Sequence, residues 1–175
     1  GTSGVRIKVR LFGGWDYKNS IFQQGDWVKT GYRDGVPMGA DLRPAKGRAP
    51  SFIVWATKDP DDANLDRIQI VKGWTKSGKL FERIYDVAWS DDRTPGADGK
   101  LPPVGNTVDV ANATWTNTIG ASELITTWKD PDFDPALRAV YYARVVEIPT
   151  PRWTAYDALR FNVKMPADVP MFGQE

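Results

Sequence analysis

The sequence has 175 residues, 41% hydrophobic and 26% charged, and its 23 Lys and Arg against 22 Asp and Glu leave a net charge of +1. That length suits one domain with its own core, and the balanced charge makes no electrostatic case for nucleic acid or an anionic membrane. Cys and His are both absent, which excludes disulfides, thiolate nucleophiles, Cys-ligated zinc and the Ser-His-Asp triad, and leaves carboxylates, Lys or Tyr for any catalysis by this chain alone.

After GTSG, Val5, Ile7, Val9 and Leu11 alternate with Arg6, Lys8 and Arg10. The alternation predicts a strand over 5–12, ended by Gly13-Gly14, with the basic stripe as its solvated face. Residues 13–50 carry Gly, Pro and Asp at short intervals and read as a long, partly ordered connection. Within it, GVPMGADL has room for one short edge strand, the place where Pro37 is tolerated. SFIVWAT (51–57) is a continuous apolar run and predicts a buried strand.

DRIQIVKGW (66–74) and LFERIYDVAW (80–89) flank the turn sequence TKSGK and predict a β-hairpin. Ile68, Ile70 and Trp74 fall on one side of its first strand, and Tyr85, Val87 and Trp89 on one face of its second. Residues 90–113 are polar, rich in turn formers, and read as a long surface loop. TWTNTIGASELITTW (114–128) predicts one or two strands, and LRAVYYARVVEI (137–148) another. Thr154 followed by Asp157 has capping-box spacing and predicts a helix over 155–161, after which MPADVPMFGQE reads as a frayed tail. The whole reads as a mainly β chain of seven or eight strands. That pattern predicts an antiparallel β-sandwich, Ig-like or jelly-roll-like, with long loops and a short C-terminal helix.

WATKDPDDANLDRIQIV and TTWKDPDFDPALRAVYY echo one another as two similar loops, each joining strand to strand. In the second, Asp130, Asp132 and Asp134 alternate as at the start of a calcium loop, but Pro135 and Tyr141 stand where an EF-hand needs Gly and Glu. The competing reading is a pair of Asp-Pro turns. Asp91, Asp92 and Asp98 are a weaker cation candidate. Glu82, Asp86, Glu123 and Glu147 are the carboxylates in strand patterns that a glycosidase would have to pair. Eight Trp residues suit a sugar-stacking platform, for which Trp15, Trp27 and Trp153 lie in predicted loops; Trp55, Trp74 and Trp89 lie in strands and are assigned to the core.

The phrases NLDRIQIVKGW, ERIYDVAWSDDR, TNTIGASELITTWKDPDFDP and YYARVVEIPTPRWTAYDA, with GVPMGADL and VGNTVD, are similar to the C-terminal part of an uncharacterised bacterial family. That family is a domain of unknown function allied to the PHP (polymerase and histidinol phosphatase) metal-dependent hydrolases. The resemblance implies that residues 1–175 are one C-terminal domain of a longer protein, with GTSGVRIKV at the junction to an upstream PHP-like barrel. Divalent metal ions would be bound upstream, none in this chain, and the protein would be secreted or periplasmic. The expected role is a non-catalytic sandwich completing the hydrolase, with no nucleic-acid partner and no membrane span. Trp15, Asp41, Arg152 and Trp153 are then candidates to wall a substrate cleft or to pack at the domain interface. The alternative is a free-standing extracellular ligand- or carbohydrate-binding module.

Overall fold

The computed structural model describes residues 4–23, 25–45 and 47–174. Two antiparallel sheets face each other. One has the order β2-β1-β3-β6, formed by β1 (Lys8–Gly14), β2 (Gly35–Pro37), β3 (Ser51–Thr57) and β6 (Glu123–Lys129). The other has the order β5-β4-β7, formed by β4 (Leu65–Lys76), β5 (Lys79–Trp89) and β7 (Ala139–Glu147). The sandwich expected from the strand pattern is therefore present. Its core is built from Leu11, Phe52, Val54 and Ala56 of the first sheet, Leu124 of β6, and Leu65, Ile68 and Ile70 of the second.

β3 has no polar alternation because both of its faces are covered. Phe52, Val54 and Ala56 point between the sheets, while Ile53 points the other way into a second cluster with Phe12 and Ile21. That outer layer is a 3-10 turn (Asn19–Gln23) and helix α1 (Trp27–Asp34). The segment read as a long connection thus carries the elements that seal one side of the sandwich. Asp26 caps α1 by accepting the Lys29 N–H at 3.0 Å. The helix can lie close because of Gly31, where a Cβ would stand 2.7 Å from the Phe12 ring. The expected edge strand is β2, which pairs with β1 through Pro37 and Phe12.

The hairpin is as predicted. Ser77 and Gly78 both have positive φ, 51° and 73°, as a two-residue turn between right-twisted strands requires. β1 begins at Lys8 rather than residue 5, and Arg6, Lys8 and Arg10 are exposed. Of the run 114–128 only β6 is a strand. Residues before it are pinned as a loop, with the Asn64 side-chain amide donating to the Ile119 carbonyl at 2.9 Å. The 90–113 loop is likewise anchored, as Arg93 donates to the Pro102 carbonyl at 3.0 Å and to that of Asp66 at 2.8 Å.

Two expectations at the C-terminus are corrected. Helix α2 (Trp153–Phe161) is capped at Arg152 without a side-chain bond, so Thr154 is not its cap. Thr154 is buried inside the first turn, where its hydroxyl donates to the Pro170 carbonyl at 2.6 Å, a stronger claim on it than the exposed end of the helix. Nor is the tail frayed. β9 (Phe172–Gly173) pairs with β8 (Thr150–Pro151), and the Gln174 amide donates to the Asp66 carboxylate at 2.8 Å and the Glu147 carbonyl at 3.0 Å. Glu175 lies outside the described residues.

The echoed Lys-Asp-Pro-Asp segments do form equivalent turns, one after β3 and one after β6, and therefore at opposite ends of the sandwich. In each, the first Asp is buried and accepts the N–H two residues on, Asp61 to Asp59 at 3.2 Å and Asp132 to Asp130 at 2.9 Å. Each also takes a distant cation, Arg6 at 2.9 Å for Asp59 and Lys72 at 2.6 Å for Asp130. The bond from the Arg6 side chain, with two backbone N–H donors, holds the Asp59 carboxyl at about 2, below its ordinary 3.8. A carboxyl lowered by folding stabilises the protein above its unfolded value and loses that contribution as pH falls from 3.8 towards 2. Arg6→Ala is expected to move the midpoint of acid unfolding, followed by circular dichroism, to higher pH. An unchanged midpoint would show that the Arg6–Asp59 contact carries none of the acid resistance.

Candidate functional site

The facing strands differ in length, and the mismatch opens a cavity. β4 and β5 have 12 and 11 residues, β3 and β6 seven each. Phe52 against Tyr141 (ring centroids 4.7 Å apart) and Trp128 against Tyr85 (4.8 Å) place the end of the first sheet level with Tyr141 and Tyr85. There the first sheet turns away at Pro50 and Asp130, which are joined by a backbone bond of 3.1 Å. The second sheet continues, with Lys72 and the paired Arg83 facing inward and beyond them Trp74 and the paired Phe81. Their rings stack with centroids 5.6 Å apart and planes 14° from parallel. With the loop 130–138 they enclose a cavity of about 440 Å³.

The base of this cavity is a buried ion pair. Lys72 Nζ lies 2.6 Å from Asp130 Oδ2 and donates also to the Asp132 carbonyl at 2.7 Å. Tyr141 donates its hydroxyl to the same Asp130 oxygen at 2.6 Å. Lys72 Nζ also stands over the Trp74 and Tyr141 rings, 5.5 and 5.9 Å from their centroids. At the rim, Asp132 Oδ2 accepts from Tyr85 at 2.7 Å and from Arg83 at 2.9 Å. Burial first, and then the bond to Asp130, pushes the Tyr141 phenol far above its usual 10; burial and the bond to Asp132 do the same for Tyr85. Both phenols are held as hydrogen-bond donors, and Lys72 is fixed by its acceptors. This arrangement suits recognition, with donors and acceptors in set places beside an aromatic surface, better than proton transfer.

The Asp130, Asp132 and Asp134 side chains diverge. The first two bind Lys72, Tyr141, Tyr85 and Arg83, and Asp134 accepts the Ala136 N–H at 2.9 Å. Among the described residues no three of His, Cys, Asp and Glu gather as a metal site would require. Asp91 accepts the Gly120 N–H and Asp98 the Lys100 N–H, at 3.2 and 3.1 Å. The strand carboxylates do not form a pair either: Glu82 and Asp86 sit on the outer face of the second sheet, Glu123 is exposed at the start of β6, and Glu147 is buried at the end of β7.

Trp15, Asp41, Arg152 and Trp153 are not one wall. Trp15 follows β1 and lies under the Arg48 guanidinium, 5.8 Å from its ring centroid. Asp41 is exposed on the loop after β2, at the edge of the first sheet. Arg152 and Trp153 open α2 at the opposite end of the sandwich. Trp74, assigned to the core from its strand position, lines the cavity instead. The sequence carries one signal of this site: Lys72 occupies an inward position in the series Ile68, Ile70, Lys72, Trp74.

Fold and cavity together define a two-sheet β-sandwich with a ligand-sized recess at one end. The chain belongs to the family described as protein of unknown function, DUF3604, whose model it matches over residues 1–175. No curated protein and no solved structure matches it.

Proposed function

We propose that this chain is a non-catalytic β-sandwich completing a secreted or periplasmic, PHP-like metal-dependent hydrolase whose metal ions are held upstream in the same polypeptide. The supporting observation is the apolar side of α2. The helix buries Thr154 and Ala155 against the sandwich, while Trp153, Tyr156 and Leu159, at successive three-residue steps, are 65%, 45% and 54% exposed. Phe161, Val163 and Phe172, in and after this helix, are exposed as well. Side chains of that size left in water mark an interface, and an adjoining domain of the same chain is the partner that the sequence resemblance supplies. Arg152 and Trp153 belong to this face; Trp15 and Asp41 lie away from it.

Among the described residues no group of side chains is arranged to hold a resident metal. The sequence has no His or Cys, and the acidic side chains that lie closest are taken by protein donors. No step of metal-assisted hydrolysis is therefore assigned to this chain. No helix among the described residues is long and apolar enough to cross a membrane.

The interface is tested with Trp153→Asp and Leu159→Asp together in the natural full-length polypeptide. Both residues point into solvent here, so the isolated chain should melt as the wild type does. The full-length variant should show two separate unfolding transitions by calorimetry where the parent shows one. A single transition at the parental temperature would contradict the proposal.

A further inference from the structure

We infer that the recess at the end of the sandwich is a binding site for a neutral saccharide, with the Trp74–Phe81 pair as the stacking platform. The inference is independent of any upstream domain. It rests on four features of the recess: where the rings are, how they are presented, the charge around them, and the size of the space.

The rings lie where the longer sheet overhangs the shorter, so they are inward-facing by register yet have no strand opposite them. Phe81 remains 42% exposed, and Trp74 is half-buried. An aromatic pair serving only as core would be covered. Stacked at 14°, these two offer one broad apolar surface, the form that suits the C–H face of a pyranose ring.

The polar groups around the platform come in opposite charges. Lys72 is matched by Asp130 and Arg83 by Asp132, while Lys76 and Asp134, which also line the space, form no ion pair among the described residues but balance each other in charge. A site for an anion would carry an excess of cations, and a site for an amine an excess of carboxylates. This recess instead sets donors and acceptors side by side, as hydroxyl groups, each both donor and acceptor, require. The Arg83–Asp132 pair at the rim is half-exposed and so keeps lone pairs and N–H groups for a ligand. A volume of about 440 Å³ lies within the ~300–1,000 Å³ typical of small-molecule sites. The buried Lys72–Asp130–Tyr141 cluster supports the site from below, fixing the strand ends and the loop that carry its walls.

Isothermal titration of the chain with neutral cello-, xylo-, manno- and laminari-oligosaccharides tests the assignment. Saturable binding of at least one is expected, insensitive to added salt. Phe81→Ala, which removes an exposed ring, should weaken it about tenfold or more, the usual effect of losing a central aromatic contact. Arg83→Ala should weaken it too, and Tyr142→Ala, on the outer face of the same sheet, should not. No saturable binding to any of the four sugars would overturn the proposal. So would binding that Phe81→Ala leaves unchanged, or binding confined to uronic-acid or sulfated oligosaccharides and lost in salt.

Discussion

Replacing Asp130 with Ala is expected to destabilise the chain by about 3–5 kcal/mol, the cost of stranding a buried charge. The side chains of Asp130 and Lys72 are 0% and 6% exposed, and the two meet at 2.6 Å. With the carboxylate gone, the ammonium group keeps only the Asp132 carbonyl and two ring faces, and the Tyr141 hydroxyl loses its acceptor. Urea unfolding of the single variant and of Lys72→Met/Asp130→Ala separates the causes. Removing both charges should recover much of the loss, because the desolvation cost disappears with the pair. A single-variant loss below about 1 kcal/mol would place this pair with ordinary surface ion pairs.

Arg93→Ala should cost about 3 kcal/mol for a related reason. Its guanidinium, 9% exposed, lies 2.6 Å from Asp66, a carboxylate 1% exposed at the start of β4. It also donates to the carbonyls of Ser90, Pro102 and Asp66 at 3.0, 3.0 and 2.8 Å. One side chain thereby ties the 90–113 loop to the end of the sandwich. After truncation Asp66 retains the Gln174 amide at 2.8 Å and a longer approach of 3.7 Å from Arg67. Arg93→Lys should restore little, since an ammonium group cannot reach carbonyls in several directions at once. Hydrogen exchange should rise through residues 90–104 in both variants. Retained protection there would show that the loop is held by something other than Arg93.

These two residues also show where the sequence is readable and where it is not. β3 and the β4–β5 hairpin are announced locally, by an unbroken apolar run and by alternation around Ser77-Gly78. α1 is not, because WVKTGYRD has a Gly inside and few apolar residues; its stability comes from Gly31 settling on Phe12, a contact across the chain. The tail reads as frayed since its anchors, Thr154 with Pro170 and Gln174 with Asp66, are distant partners. Arg93 is one polar residue among many in a polar segment, and nothing adjacent reveals that it is buried. The recess depends on β4 and β5 outrunning β3 and β6, strands set apart along the chain. Only Lys72, polar at an inward position, betrays it. The repeated Lys-Asp-Pro-Asp is legible as two like turns, but which cation each Asp takes is decided by the packing of the two sheets.

The central claim, that this sandwich completes a larger hydrolase, is tested most directly by the intact mass and N-terminal sequence of the native gene product. The account predicts a polypeptide extending well upstream of Gly1 into a His- and Asp-rich domain. A mature product beginning at or near Gly1 would contradict it and leave the saccharide-binding recess as the function of the chain.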